Sequence, residues 1–208
     1  MKIEIWADYA CPFCYIGKNT LDLAIEKLGI KDEVEIVYKA FQLDPNAPKV
    51  SSDTTITHLA KKYRVPYSEA EKMVNNVVLH GKNSGLDFRF DLVQTTNTFD
   101  AHRLTKFMQT FNKTSELNEL LYEAYFTKGI NIAEIDNLVE IGEKLELEPN
   151  ILKEFLESNQ FETEVKRDIE EADRKGIQAV PYFLFDGKKS IKGAQPIANF
   201  IQILSEFK

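Results

Sequence analysis

Apolar and polar residues alternate at the beginning of the chain, which predicts a β-strand with Ile3 and Ile5 on one face. From Pro12 the apolar residues recur at helical spacing as far as Gly29, a residue type that often ends helices. A second apolar run over 34–38 predicts another strand, and its composition is typical of a strand that is covered on both faces, as in a parallel or mixed sheet. The beginning of the chain is therefore predicted to be a βαβ unit.

Beyond this unit the pattern changes to a long series of helices. Residues 44–48 contain two prolines among turn-forming residues, so we place a boundary there. Over 54–176 the apolar residues recur mostly at helical spacing. Within this block, Ser68 with Glu71 three positions later predicts a helix start, and Pro149 is predicted to end a helix.

β-structure returns towards the C-terminal end. Residues 180–185 are almost all apolar, the Asp-Gly pair at 186–187 predicts a hairpin turn, and a return strand and a helix follow. The chain is therefore predicted to be an α/β protein with the order βαβ, helices, ββα. We expect one unit to be formed by residues 1–44 with 177–208, and a second, all-helical unit by residues 45–176.

Charge and composition exclude several classes of protein. The chain of 208 residues has 33 acidic and 26 basic side chains and a net charge of −7, which argues against a nucleic-acid-binding protein. It has no apolar run of about 18 residues, so we expect no membrane span. The N-terminus also has no apolar run of about 7–15 residues, which a secretory signal needs. We therefore expect a cytoplasmic protein, whose thiols are normally kept reduced.

The two cysteines of the chain, Cys11 and Cys14, lie at the junction between the first predicted strand and helix. This spacing puts both sulfurs on one face of the first helical turn. The unpaired amides and the dipole of the helix N-terminus stabilise a thiolate at Cys11, which makes Cys11 the expected nucleophile of disulfide exchange. Cys14 is expected to be less exposed and to resolve the mixed disulfide. Pro12 and Phe13, between the cysteines, are expected to set the reduction potential of the pair.

A zinc site is one alternative for this cysteine motif. Zinc in proteins takes four ligands, and the three histidines of the chain, His58, His80 and His102, are not paired at short spacing with another ligand. We therefore expect no metal. A purely structural role of the cysteine pair is a further alternative, but it is unusual at a helix start in a cytoplasmic chain.

The chain resembles the DsbA-like thiol:disulfide oxidoreductases, and among them the FrnE-like branch. The resemblance extends over nearly the whole chain, in the expected order, and rests on residues 5–17, 97–104, 124–126, 176–183 and 193–196. It implies a thioredoxin-like fold that is interrupted by a large all-helical insertion. It also implies that the bond before Pro181 is cis and that Val180 lies opposite the cysteines, where its backbone would bind an extended substrate.

Related members of this family leave an alternative function open. The 2-hydroxychromene-2-carboxylate isomerases and the kappa-class glutathione transferases are similar in fold but have serine in place of the first cysteine. The presence of both Cys11 and Cys14 favours redox chemistry over glutathione-dependent isomerisation. Phe13 departs from the FrnE-like motif, which often has tryptophan there. A glutathione-dependent isomerase or transferase and a non-catalytic binding module remain the alternatives.

The resembling segments also contain Asn97, His102 and Gln195, which we expect near a substrate groove. His102 is interpreted either as a histidine bonded to a neighbour at the interface of the two units or as a group that contacts substrate or tunes the thiols. Asp8, three residues before Cys11, is either an ordinary loop acid or a carboxylate that exchanges a proton with the pair.

The resemblance further implies that the cysteine pair is the redox centre and that no other cofactor is needed, with glutathione as a candidate co-substrate. Expected partners are protein or small-molecule thiols and disulfides, together with an external redox partner, because no third cysteine exists. Nucleic acid and membranes are not expected partners. The chain is expected to be a monomer or a homodimer.

Overall fold

The computed structural model describes residues 1–207 and contains one four-stranded sheet with the strand order β2-β1-β3-β4. The strand β1 pairs in parallel with β2 and antiparallel with β3, and β4 pairs antiparallel with β3. The sheet is therefore mixed, as predicted. Its strands are β1 (Lys2–Ala7), β2 (Glu35–Ala40), β3 (Tyr182–Phe185) and β4 (Lys189–Lys192).

Helices cover both faces of the sheet. The first helix, α1 (Pro12–Leu28), packs against the last, α9 (Ile197–Ser205), on one face. Proline at the first helical position and Gly29 in the left-handed conformation (φ 64°) define the two ends of α1, as the sequence predicts. On the other face Trp6 is fully buried, and it packs beside two apolar residues, Ala172 and Ile177.

The chain between β2 and β3 is helical. Its α-helices are α2 (Thr55–Tyr63), α3 (Tyr67–Asn83), α4 (Phe99–Gln109), α5 (Thr114–Tyr122), α6 (Ile135–Glu143), α7 (Pro149–Glu157) and α8 (Glu162–Arg174). A π-helical turn over Glu123–Thr127 continues α5. A short 3₁₀ turn over Lys31–Glu33 precedes β2. Among residues 1–207, none of the helices combines the length and the apolar character needed to span a membrane.

The predicted α/β class and element order are confirmed, whereas two helix boundaries were predicted incorrectly. Ser68 does not cap a helix, because α3 already begins at Tyr67 after Pro66, whose extended backbone occupies the cap position. Pro149 does not end a helix but begins α7, where its missing N–H costs no hydrogen bond. The division into residues 1–44 with 177–208 and residues 45–176 stays a prediction, and its last residue, Lys208, lies outside the described part of the chain.

Candidate active site

Cys11 occupies the cap position at the start of α1, with extended backbone angles (φ −100°, ψ 108°). Its amide donates a hydrogen bond to the carbonyl of Asp8 (3.1 Å), and its carbonyl accepts one from the amide of Cys14 (3.0 Å). Both cysteines are free thiols, and Cys14 is slightly less exposed (2%) than Cys11 (5%), as predicted. The backbone of this turn thus holds the two thiols at one end of α1.

The loop before β3 faces Cys11. The Val180–Pro181 peptide bond is cis, as expected, and the Cys11 Sγ lies 3.6 Å from the carbonyl oxygen of Val180. Helix α1 approaches this strand closely at Gly17, where an added Cβ would lie 3.0 Å from both Phe183 Cζ and Pro181 Cγ. Glycine at this position therefore allows the helix that carries the cysteines to pack directly against the Val180–Pro181 segment.

Cys14 is surrounded by protein. Burial raises the pKa of its thiol well above the ordinary value of 9.0, and the hydrogen bond and the charge of Cys11 raise it further, while the amide of Asp8 partly offsets them. A cysteine in this environment stays protonated at neutral pH. Cys14 therefore has to lose a proton before it can act as a nucleophile.

A carboxylate and an imidazole lie together behind the cysteine turn. Asp8 is 1% exposed, and its Oδ2 accepts a hydrogen bond from the amide of Leu43 (2.7 Å) while its Oδ1 accepts a longer one from the amide of Ala10 (3.4 Å). The Nε2 of His102 lies 3.4 Å from the Oδ1 of Asp8 and makes no hydrogen bond within the described residues. The imidazole packs against the ring of Tyr9 at a centroid distance of 4.9 Å.

A cavity of about 250 Å³ opens beside Cys11. Its walls are largely apolar and come from the cysteine turn, the loop after β2, the helices α2 and α3, the segment before α4 and the π-helical turn. Residues that line it include Phe13, Leu43, Leu59, Met73, Val77, Phe90, Val93, Tyr125 and Phe126. The reactive thiol thus lies in the wall of a partly enclosed apolar space.

Two of the predicted supporting residues, Pro12 and Phe13, line this cavity beside Cys11. Phe13 is 39% exposed, and its ring contacts that of His80 edge to face at a centroid distance of 6.2 Å. The structure thus places an aromatic side chain from the cysteine motif at the rim of the cavity, next to a histidine of α3 to which sequence reasoning assigned no function.

Asn97, His102 and Gln195 do not line this cavity. The side-chain amide of Asn97 donates hydrogen bonds to the carbonyls of Pro45 (3.1 Å) and Ala47 (3.2 Å), so it holds the loop after β2. Gln195 donates to the carbonyl of Lys192 (3.0 Å) and belongs to the turn before α9. His102 lies in the interior and is 4% exposed.

Sequence reasoning missed two side chains of the cavity wall, His58 and Lys62. They lie four positions apart, about one turn of α2, and so project from the same side of that helix. This spacing is visible in the sequence, but only the fold brings this side of α2 to the cavity beside Cys11. Within residues 1–207, no three His, Cys, Asp or Glu side chains are grouped as they are around a metal ion.

Comparisons with known proteins agree with this geometry. A family model described as DSBA-like thioredoxin domain matches residues 2–205. The uncharacterized protein YwbO of Bacillus subtilis (strain 168) is 30% identical over 214 residues, a match that covers 99% of this chain and 96% of YwbO.

Solved structures are similar over the same length. Probable DsbA oxidoreductase SCO1869 from Streptomyces coelicolor superposes with a TM-score of 0.92 at 30% identity, covering 99% of this chain and 89% of that one. The cytosolic disulfide reductase DsbM from Pseudomonas aeruginosa, with GSH, superposes with a TM-score of 0.68 at 15% identity, covering 100% of this chain and 98% of that one, and shows the fold alone. The thioredoxin-like fold is thereby confirmed, and the chain belongs to the family of DsbA-like thioredoxin-domain proteins.

Proposed function

We propose that this protein is a thiol:disulfide oxidoreductase in which Cys11 and Cys14 alternate between a dithiol and a disulfide. The observation that carries the proposal is the position of Cys11. Its side chain lies at the cap position of α1, at the positive end of the helix dipole. Its sulfur also lies 3.6 Å from the carbonyl of Val180. The proposed nucleophile, Cys11, and the backbone proposed to bind a substrate peptide, at Val180, are thus next to each other.

The reaction proceeds in two exchanges. The Cys11 thiolate attacks a substrate disulfide, so that a bond forms between Cys11 and one substrate sulfur while the other substrate sulfur leaves as a thiolate. The sulfur of Cys14, after losing its proton, then attacks Cys11 and releases the second substrate thiolate. The substrate gains two electrons and the cysteine pair loses them. An external dithiol returns the pair to the reduced form, and the reverse sequence oxidises a substrate dithiol.

The surroundings of Cys11 suggest which substrates are accepted. The carbonyl of Val180 provides a backbone acceptor for an extended peptide. The apolar cavity suits an apolar side chain or a small thiol, and His58 and Lys62 in its wall suit a thiol compound that also carries a carboxylate. We propose protein and small-molecule thiols as substrates, with glutathione as a candidate co-substrate and no cofactor besides the cysteine pair.

We further propose that the protein belongs to the FrnE-like branch and works in the cytoplasm. The segments 5–17 and 176–183, on which the resemblance to that branch rests, support the first proposal. The restriction of cysteine to this one motif supports the second, because proteins of oxidising compartments often carry structural disulfides. The reduction potential of the pair, measured against glutathione, separates a reductase from an oxidant.

The test uses serine variants of the two cysteines. The wild-type protein should accelerate the reduction of insulin by dithiothreitol, and Cys11→Ser should abolish this acceleration because the nucleophile is lost. Cys14→Ser should accumulate a mixed disulfide at Cys11, detected by mass spectrometry, because the resolving thiol is lost. A wild-type rate no faster than dithiothreitol alone would contradict the proposal.

A glutathione-dependent isomerase or transferase is the second candidate. The partly enclosed apolar cavity beside Cys11 favours it, since such a cavity can hold a small organic substrate. Cys14→Ser separates the two candidates, because this change should abolish dithiol turnover but leave a glutathione-dependent isomerisation active. Isomerase activity in Cys14→Ser, with no disulfide exchange by the wild type, would favour the second candidate.

A further inference from the structure

We infer that the outer edge of β2 binds an extended segment of a partner protein that is rich in lysine or arginine, and that this segment adds a strand to the sheet. This surface lies outside the active site, and its role goes beyond the proposed function. Three features point to it: backbone groups that no strand of this chain uses, a groove beside them, and acidic side chains in the lining of the groove.

β2 is an edge strand, because the strand order of the sheet leaves it with β1 as its only neighbour. The amide of Glu35 donates to the carbonyl of Met1 (2.9 Å), and the amide of Phe41 donates to the carbonyl of Ala7 (3.0 Å). Successive residues of a strand direct their amides and carbonyls to opposite sides. The odd-numbered residues of β2 therefore bond to β1, and the even-numbered residues direct their backbone groups outwards.

Side chains already bond to one half of this outer edge. The carbonyl of Tyr38 accepts a hydrogen bond from the ammonium group of Lys106 (3.1 Å), and the amide of Ala40 donates to Asp168 (3.0 Å). The amide and carbonyl of Ile36 and the amide of Tyr38 have no such partner within residues 1–207. These three backbone groups are thus free to pair with an added strand, as in complexes where a peptide extends a sheet.

A groove of about 1010 Å³ lies beside this free half of the edge. It is lined by the C-terminal part of α1, the 3₁₀ turn that follows it, β2, and the segment between α4 and α5. β2 contributes Ile36, Val37 and Tyr38 to the lining, and the segment after α4 contributes Asn112. The volume is at the upper end of the range for small-molecule sites, so the groove has room for a short extended peptide.

The groove is acidic, because four carboxylates and one ammonium group, that of Lys31, line it. Asp22 is paired with Lys18 of the same helix (2.9 Å). The other three carboxylates form no ion pair within the described residues and belong to Glu26, Asp32 and Glu35. Lysine and arginine side chains of a bound segment would therefore find carboxylates that have no other partner.

The negative charge also reaches the other side of the groove. Burial raises the pKa of the Tyr38 hydroxyl, and the charges of Asp22, Glu119 and Glu116 raise it further. Asp22 belongs to α1, and the two glutamates belong to α5. Carboxylates of both helices thus act on the same residue of β2, so a basic segment is attracted along the groove and an acidic one is repelled.

A second copy of this chain is the competing occupant. The other edge strand of the sheet, β4, carries the exposed lysines Lys189 and Lys192, so its charge also fits the groove. Pairing of β4 with β2 would, however, leave one free edge on each copy and would build open chains rather than a closed dimer. We therefore assign the edge to a basic segment of a different protein.

The groove lies at the opposite end of α1 from the cysteines. α1 has 17 residues, which corresponds to about 25 Å, and Cys11 precedes its first residue, whereas Glu26 and Gly29 line the groove at its other end. A partner bound at β2 would therefore leave the cavity beside Cys11 open to a substrate.

The experiment uses a dye-labelled heptapeptide in which lysine and valine alternate and both ends are blocked. Its binding to the full chain is measured by fluorescence polarisation. In the NMR spectrum of the protein, binding should shift the amide signals of Ile36 and Tyr38 more than that of Val37, which bonds to β1. The same peptide with glutamate in place of lysine, or with methylated backbone amides, should bind at least about tenfold more weakly. Equal binding of the methylated peptide, or unchanged signals of Ile36 and Tyr38, overturns the inference.

Charge reversal tests the lining of the groove. Glu26→Lys combined with Glu35→Lys should weaken binding of the lysine peptide on the order of tenfold, because attraction becomes repulsion. Glu140→Lys combined with Glu143→Lys reverses two exposed carboxylates of α6 and is the matched control, which should keep the affinity within about twofold. Equal weakening by both pairs would mean that net charge alone attracts the peptide, and it would overturn the inference.

Ile36→Pro tests the backbone pairing. Proline removes the outward N–H and is tolerated in edge strands, so this variant should bind at least about tenfold more weakly. Ile36→Val keeps the N–H and should bind within about twofold of the wild type. If Ile36→Pro does not fold, hydrogen exchange of the wild type gives the same answer, because the bound peptide should slow exchange of the Ile36 amide at least about tenfold. Unchanged exchange overturns the inference, and so does self-association of the chain that the charge reversal at Glu26 and Glu35 abolishes.

Discussion

Removing the charge of Asp168 should destabilise the protein strongly. Asp168 is 4% exposed, and its carboxylate forms ion pairs with Lys106 and Lys39 and accepts the amide hydrogen bond of Ala40 (3.0 Å). Its carbonyl also accepts the indole hydrogen bond of Trp6 (3.2 Å). One residue of α8 thereby connects the helical part of the chain to the two strands that lead into the active-site loops, through its side chain to β2 and its carbonyl to β1.

The magnitude follows from what Asp168→Asn leaves behind. Lys39 keeps an ion pair with Glu171 (3.0 Å), so the free energy lost at Lys39 is small. Lys106 is 8% exposed and also donates to the carbonyl of Tyr38 (3.1 Å), but neither this carbonyl nor a neutral asparagine compensates its charge in the interior. Breaking a buried pair on one side costs about 3–5 kcal/mol. We expect about 3 kcal/mol, because the asparagine side chain still accepts the hydrogen bond of Ala40.

Urea unfolding of the reduced protein measures this loss as a lower midpoint at an unchanged slope. Glu162→Gln is the matched control, since it breaks the exposed pair of α8 with Lys166 and should cost no more than about 0.5 kcal/mol. Adding Lys106→Met to Asp168→Asn should recover part of the loss, because the unpaired charge is removed. A cost of Asp168→Asn below about 1 kcal/mol would refute the reasoning.

Three further outcomes are expected. Gly17→Val should cost about 1–3 kcal/mol in unfolding experiments and slow disulfide exchange, because its side chain would displace Phe183 and Pro181, whose atoms lie 3.0 Å from an added Cβ. Arg103→Lys should cost about 2 kcal/mol, measured in the same way, because one ammonium group cannot replace a guanidinium that donates to backbone carbonyls at the end of α7 and in the loop before α8. Because the folded pKa of Cys14 is higher than the unfolded one, the stability that its protonated thiol contributes is fully present below about pH 9 and is lost as the pH rises towards the folded value. The unfolding free energy of the reduced protein should therefore fall more steeply above pH 9 than that of the oxidised protein, and Cys14→Ala should remove the steeper fall.

The elements of the sheet could be predicted from the sequence because their signals are local. Alternation predicts β1, and α1 has a proline at its first position and a glycine beyond its last. The same residue types predict the wrong boundary where one helix ends close to the start of the next. Proline suits both the end of one helix and the beginning of the next, so Pro149 was assigned to the wrong helix. Which of the two it belongs to depends on packing between helices, and a local pattern does not contain that information.

The reactive part of the site was also predictable, whereas the cavity was not. The short spacing of the cysteines limits their geometry, and the Val180–Pro181 bond is cis as the resemblance implies. The cavity wall is formed by long-range contacts. The helix α2, which carries His58 and Lys62, has no fully buried side chain and packs mainly on α3. Its position in the wall of the cavity beside Cys11 therefore follows from tertiary structure rather than from its own sequence.

Asn97 and His102 show why a segment can mark the right region and still leave the role of its residues open. Unpaired backbone carbonyls are costly in the interior. A buried loop therefore needs specific hydrogen-bond donors, just as a reaction does. Asn97 meets such a need, since it donates to two carbonyls of the loop that forms one wall of the cavity. His102 differs, because its Nε2 lies 3.4 Å from the Oδ1 of Asp8 and makes no hydrogen bond within the described residues. Residues of one short segment thus differ in what the fold asks of them, because their roles depend on the loops and strands that tertiary packing brings beside them and not on the segment's own pattern.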